Sequence, residues 1–182
     1  MNLRTASAAV VLLALLTFAY SVALARKPED VFGGKILVSD RAFPMAAKSP
    51  DAYIDALKKQ TREAIQEDKE SKQWRVYYAA FFKQPVNDLE ISIRVYDVTG
   101  GAKRLVDTFE QYISNTEARA YVSQVSLKRG DGSSGYDPNT KILMVMETKG
   151  RMLAQATFVI QGEARKYKGT VDFSEEDTKD PK

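Results

Sequence analysis

This chain of 182 residues contains neither histidine nor cysteine. Ser-His-Asp and Cys-His catalysis are therefore excluded, as are metal sites built on imidazole or thiolate ligands. The chain also lacks the S-x-x-K, G-x-S-x-G, G-x-x-x-x-G-K and G-x-G-x-x-G motifs of serine–lysine enzymes, hydrolases and nucleotide-binding proteins. Only carboxylate chemistry remains, and the sequence singles out no pair of acids. We therefore predict a protein that is not an enzyme and that carries no cofactor.

The chain also lacks a large excess of positive or negative charge. The chain has 27 lysines and arginines against 24 aspartates and glutamates, without the strong basic footprint of a nucleic-acid-binding protein. Nucleic acid is therefore excluded as a partner. The absence of cysteine also rules out disulfide bonds, so that packing of the core must supply the stability.

The first 25 residues have the pattern of a secretory signal peptide. Arg4 supplies the basic start, residues 8–19 form an apolar stretch, and Ala23-Leu24-Ala25 matches an A-x-A cleavage site. We therefore expect an exported protein, periplasmic or extracellular in the bacterial cell envelope, with a mature chain that begins at Arg26. The alternative is a membrane anchor that is retained, because the apolar run is nearly long enough to span a bilayer. Only in that case would the protein contact a membrane.

Residues 49–72 are predicted to form one surface helix. Ser49 is a good N-cap, Pro50 suits the first helical position, and Asp51 favours the positive end of the helix dipole. A narrow apolar stripe recurs at helical spacing and ends at Ile65.

From residue 73 onward the apolar residues recur with a period of two, which is typical of strands. Eight strands are predicted, over residues 34–40, 73–83, 89–98, 105–113, 120–128, 142–148, 151–161 and 167–173. Many strands with turn residues between them favour a mainly β fold, an antiparallel β-sandwich forming a single domain over residues 26–173. The highly charged residues 174–182 are predicted to be a disordered tail.

Residues 136–160 resemble part of the fibronectin type III and immunoglobulin-like domains. Pro138 and Thr140 match the family pattern x-P-x-T-x-Y, whereas Ile142 stands where the family has tyrosine. The next strand carries alternating apolar residues up to Ile160, as the family's following strand does. The resemblance implies a β-sandwich and a role in binding or as a scaffold.

The loop over residues 129–139 is the most distinctive polar segment. Asp131, Asp137 and Asn139 are candidate oxygen ligands for calcium, although their spacing differs from that of an EF-hand. Arg129, Asp131 and Tyr136 are candidate contacts with a partner, and residues 129–131 match the Arg-Gly-Asp adhesion tripeptide. The simplest alternative is a hairpin loop that uses these residues as turn formers.

A second candidate surface is the outer face of the strand over residues 73–83. Alternation places Trp74 on one face and Tyr77 and Phe81 on the other. If the second face is open to solvent, Tyr77 and Phe81 form an apolar patch that marks an interface.

These observations favour an exported binding or structural module without catalytic activity, whose partner is another protein. One alternative is a hydrolase or lyase that uses carboxylates, which requires a cleft holding two acids with shifted pKa values. The other is a carrier of a small ligand or lipid, which requires strands closed into a barrel around an apolar cavity.

Overall fold

The computed structural model describes residues 26–130 and 135–164. The helices are α1 (Pro28–Phe32) and α2 (Pro50–Gln60), and the strands are β1 (Lys35–Ser39), β2 (Ala64–Gln66), β3 (Gln73–Phe81), β4 (Glu90–Asp97), β5 (Arg104–Tyr112), β6 (Ala120–Lys128), β7 (Thr140–Thr148) and β8 (Arg151–Gln161). The predicted leader (1–25), the predicted strand over 167–173 and the predicted tail (174–182) lie outside the described residues.

The eight strands form one mixed sheet with the order β5-β4-β7-β8-β1-β3-β6, and β2 lies beside β8. Seven of the eight described strands correspond to predicted strands, whereas β2 lies within the predicted helix over residues 49–72. The prediction of a mainly β fold is confirmed. The two separate antiparallel sheets of a sandwich are not, because β1 and β2 both pair with the same edge of β8, in parallel. These pairs join the two halves that a sandwich would keep apart, and the continuous sheet curls into a half-barrel.

The concave side of the half-barrel holds the main core. Alternate residues of the strands point into it, and the largest of its fully buried side chains are Trp74, Tyr78, Phe82, Phe158, Ile65, Ile91, Leu127, Ile142, Met144 and Met146. The Trp74 indole N–H donates a hydrogen bond of 2.8 Å to the main-chain oxygen of Gln161. The large indole ring is thus buried with its one polar group satisfied.

Both helices contribute to a second, smaller core on the convex side of β1 and β3. There Leu57 of α2 and Phe32 of α1 pack with Leu37, Ala79 and Phe81. The rings of Phe32 and Phe81 lie 5.4 Å apart between centroids. Strand β3 is therefore buried on both faces at this end, as its two apolar faces predict.

Helix α2 begins as predicted but ends earlier. The Ser49 hydroxyl accepts a hydrogen bond from the Ala52 N–H at 3.2 Å, whereas the helix stops at Gln60 and not at residue 72. Thr61 has extended backbone angles, and the Arg62 N–H donates to the Val38 oxygen of β1. The apolar stripe that predicted one long helix therefore combined two elements, because Leu57 packs on the convex side and Ile65 on the concave side.

Candidate functional site

A groove of about 320 Å³ lies on the convex face where the helical layer ends. Its walls include Asp40, Arg41, Gln73, Arg75, Tyr77 and Ser126, and we call it the β3 groove.

Strand alternation and a pinned connector build this groove. Gln73, Arg75 and Tyr77 are alternate residues of β3 and share its outer face. Ser39, the last residue of β1, lies opposite Tyr77. The Ser39 hydroxyl accepts a hydrogen bond of 3.2 Å from the Arg41 N–H, and the Gln60 side-chain amide donates one of 3.0 Å to the Arg41 oxygen. The connector that carries Arg41 is therefore fixed from both β1 and α2.

The groove carries both acidic and basic side chains. Its acids Asp40 and Asp68 have partners within the chain, whereas Arg41 and Arg75 form no salt bridge in the described part of the chain. Asp40 lies 3.8 Å from Arg62 in an exposed ion pair. Hydrogen bonds from the Ser71 backbone and hydroxyl lower the pKa of Asp68. Arg41 and Arg75 make no salt bridge with any carboxylate of the described residues. The charge of Arg75 also helps to lower the pKa of Asp68. Two guanidinium groups that form no salt bridge within the described residues therefore line the groove together with Tyr77.

Of the two candidates on β3, only Tyr77 is available to a partner. It is half-buried in the groove wall, whereas Phe81 is buried beneath the helices. The predicted partner contact at Phe81 is corrected, because α1 and α2 cover that end of the strand and stack Phe32 against its ring.

Tyr136 is also buried and points into the main core. Its hydroxyl lies 3.4 Å from an Asp107 oxygen, and desolvation together with the Asp107 charge raises the pKa of Tyr136. The predicted partner contact at Tyr136 is therefore corrected, since its ring contributes to the core.

Arg129 points inward as well. Its guanidinium lies 2.8 Å and 3.0 Å from the two carboxylate oxygens of Glu67. It also donates a hydrogen bond of 2.6 Å to the main-chain oxygen of Glu163. The side chains of Arg129 and Glu67 are only 17% and 5% exposed. These contacts join the end of β6 to the ends of β2 and β8, and the partner contact at Arg129 stays a prediction.

The candidate calcium ligands are only partly within the described residues, and Asp131 lies outside them. Asp137 is exposed. Asn139 has a left-handed backbone, with φ of 62°, and its side chain exchanges hydrogen bonds with the Gly162 backbone at 3.2 Å and 3.4 Å. Among residues 26–130 and 135–164, no cluster of three acidic side chains could hold a metal ion. The described part of the loop thus fits the turn-former interpretation.

The carboxyl groups with clearly shifted pKa values within the described residues are Asp68, Asp88 and Asp97, and each is shifted downward. Hydrogen bonds from the Thr148 hydroxyl and from Lys149 lower the pKa of Asp88 to about 2. A general acid needs the opposite shift, toward neutral pH. These three groups are therefore suited to accept hydrogen bonds rather than to donate a proton.

Sequence reasoning missed both arginines of the β3 groove. Arg75 could have been found, because alternation places it on the same face of β3 as Tyr77. Arg41 could not, because a connector with no periodicity carries it and the contact from Gln60 of α2 positions it.

No family model matches the chain, and no curated protein matches it. Among solved structures the chain is similar to an immunoglobulin-like protein from Pseudomonas aeruginosa, with 12% identity over 56% of this chain and 80% of that chain and a TM-score of 0.34. None of the helices in the described ranges has the length and apolar character needed to span a bilayer.

Proposed function

We propose that the protein is an exported, non-catalytic binding module of the bacterial cell envelope, built on an immunoglobulin-like β domain, and that it recognises another protein through the β3 groove. The charged start, apolar stretch and A-x-A site of residues 1–25 support export. The chemistry of the groove supports a protein partner.

The observation that carries this proposal is the set of Tyr77, Arg41 and Arg75 around one concave surface. Tyrosine and arginine are the residue types most enriched at the energetic centres of protein interfaces. A guanidinium that is not held in a salt bridge can bind a partner's carboxylate through two parallel hydrogen bonds. The groove therefore suits an extended or looped segment of a partner that carries an acidic side chain.

Both alternatives receive less support from the described residues. A carrier needs an interior cavity, whereas large side chains, among them Trp74, Phe82 and Phe158, fill the concave side of the half-barrel. A carboxylate hydrolase needs an acid with a raised pKa, and the shifted acids are lowered.

The test compares the exported mature protein with variants in and away from the groove. A tagged mature protein is cross-linked in its native envelope, the bound proteins are identified by mass spectrometry, and direct binding is measured by calorimetry. We expect Tyr77→Ala and Arg75→Ala each to weaken binding at least about tenfold, the scale of an interface hot spot. The matched control is Tyr112→Ala, since Tyr112 is 77% exposed on β5. Equal affinity of Tyr77→Ala and Tyr112→Ala would contradict the proposal.

Two further measurements address export itself. The mass of the mature chain should correspond to a start at Arg26. A protein that keeps residues 1–25 and fractionates with membranes would instead support a retained anchor.

A further inference from the structure

A second groove lies beyond the other end of β3, beside the start of β8. It consists of two adjoining hollows of about 510 Å³ and about 200 Å³, whose walls share Lys83, Met152 and Leu153. The larger hollow extends to Lys35 and the smaller one to Arg151. We call the two hollows together the β8 trough. It contains three basic side chains, with Lys83 where the two hollows meet.

Every charged side chain among the described residues that line the β8 trough is basic. Lys35 and Lys83 are exposed, and neither forms a salt bridge within residues 26–130 and 135–164. The Arg151 guanidinium donates hydrogen bonds of 3.2 Å and 2.6 Å to the main-chain oxygens of Pro85 and Val86, which fix its position. The β3 groove, by contrast, also contains acidic side chains. The β8 trough is therefore suited to attract an anion.

The Gly33–Gly34 turn supports the side chain of Lys83. A Cβ atom at Gly33 would lie 3.2 Å from Lys83 Cγ, and one at Gly34 would lie 3.3 Å from Lys83 Cε. The lysine stem therefore lies directly over the two glycines. The Gly34 N–H donates a hydrogen bond of 2.7 Å to the Phe81 oxygen, and the Gly34 oxygen accepts one of 3.2 Å from the Gln155 N–H. These bonds fix the turn between β3 and β8, beside the trough.

The side chains of the trough favour a polysaccharide over other anionic polymers. Lysine is depleted at protein interfaces, and the described walls contain neither the tyrosine nor the tryptophan that commonly anchors them. Single-stranded nucleic acid needs exposed aromatic rings on which its bases stack, whereas Phe82, the one aromatic residue of these walls, is fully buried. Gln84, Gln155 and Thr157 are exposed, and their amide and hydroxyl groups can exchange hydrogen bonds with sugar hydroxyls.

We propose that the β8 trough binds an acidic polysaccharide, whose successive anionic groups lie beside Lys35, Lys83 and Arg151. Lysine ammonium groups on flexible stems can follow anions along a polymer, because each is a compact charge with donors that rotate. The side chain of Met152 is 58% exposed and offers apolar surface to the C–H face of a sugar ring. The site is separate from the β3 groove, so a polysaccharide and the proposed protein partner can be bound together.

Calorimetry with polygalacturonate, a polysaccharide that has a carboxylate on each sugar, tests the proposal on the full mature chain at low salt. The double variant Lys35→Gln with Lys83→Gln should bind at least about tenfold more weakly than the parent protein, because each ammonium donates charge-assisted hydrogen bonds. The matched control is Lys58→Gln with Lys59→Gln, which removes the same charge from exposed positions of α2. Equal losses in the two double variants would overturn the proposal, and so would a parent protein that does not bind polygalacturonate.

A carboxylate placed inside the trough gives a second test. Met152→Glu should weaken the binding of polygalacturonate at least about tenfold, since like charges repel at short range. Leu105→Glu is the matched control, because Leu105 is 54% exposed on β5, outside the trough, and it should weaken binding less than about twofold. Equal effects of the two substitutions would contradict a site in the trough. Poly-glutamate presents the same carboxylates on a peptide chain, and binding as tight as that of polygalacturonate would overturn the choice of a polysaccharide.

Discussion

The ion pair between Arg129 and Glu67 leads to the most specific prediction about stability. Replacing Arg129 by methionine leaves the Glu67 carboxylate, only 5% exposed, without its two charged hydrogen bonds. Removing one partner of a buried ion pair typically costs about 3–5 kcal/mol. We expect Arg129→Met to lower the free energy of unfolding by an amount in that range, because the substitution also removes the hydrogen bond to the main-chain oxygen of Glu163.

The matched control is Arg104→Met, which breaks a pair with Asp97 of similar length, 2.9 Å, in which the arginine is 68% exposed. Solvent-exposed pairs contribute about 0–1 kcal/mol. The double variant Glu67→Leu with Arg129→Met should cost less than Arg129→Met alone, because it leaves no buried charge without a partner.

The assay is urea unfolding at pH 7, followed by the fluorescence of Trp74, the only tryptophan and a fully buried one. The measurement is repeated at low and high salt, since salt weakens exposed pairs more than buried ones. Equal losses for Arg129→Met and Arg104→Met would refute the role assigned to the buried pair. A double variant less stable than Arg129→Met would refute it as well.

Three further predictions concern the two cores and the acid range. Leu57→Ala should destabilise the fold by about 2–5 kcal/mol in urea unfolding, the usual cost of a buried leucine, whereas Leu105→Ala, at an exposed position, should change it by less than about 0.5 kcal/mol. Trp74→Phe removes the N–H that satisfies a main-chain oxygen and should cost about 1–3 kcal/mol, measured by circular dichroism. The hydrogen bond from Thr148 helps to lower the pKa of Asp88 from 3.8 to about 2, so its contribution is complete above pH 3.8 and is lost as the pH falls through about 2. The free energy of unfolding of Asp88→Asn should therefore fall less than that of the parent protein as the pH is lowered from 3.8 to about 2, measured by urea unfolding at each pH. The same pH dependence of stability in both proteins would contradict this.

Local pattern was sufficient for much of the fold. The alternation in β3 placed Trp74 and Phe81 on opposite faces of the strand, and the two residues indeed belong to different cores. Ser49 and Pro50 predicted the start of α2 because capping depends only on neighbouring residues. The same alternation also puts Arg75 on the face of Tyr77, although Arg75 was not among the predicted contacts.

Features that depend on distant segments were not predictable in this way. Ile65 continues the helical stripe in sequence, but pairing with β8 draws it into a strand. Tyr136 and Arg129 belong to a polar loop in the sequence, but the structure turns both inward. In each case a partner far along the chain supplies the deciding contact.

The sequence by itself determined the alternation of the strands from β3 onward, the strand-rich fold and the start of α2, because these depend on residues within a few positions of one another. Only the tertiary structure decided that the strands form one curled sheet and that Arg41 lies beside Tyr77. The physical reason is that pairing between distant strands adds hydrogen bonds and buried surface that no local pattern records, and these outweigh the helical preference of residues 61–66.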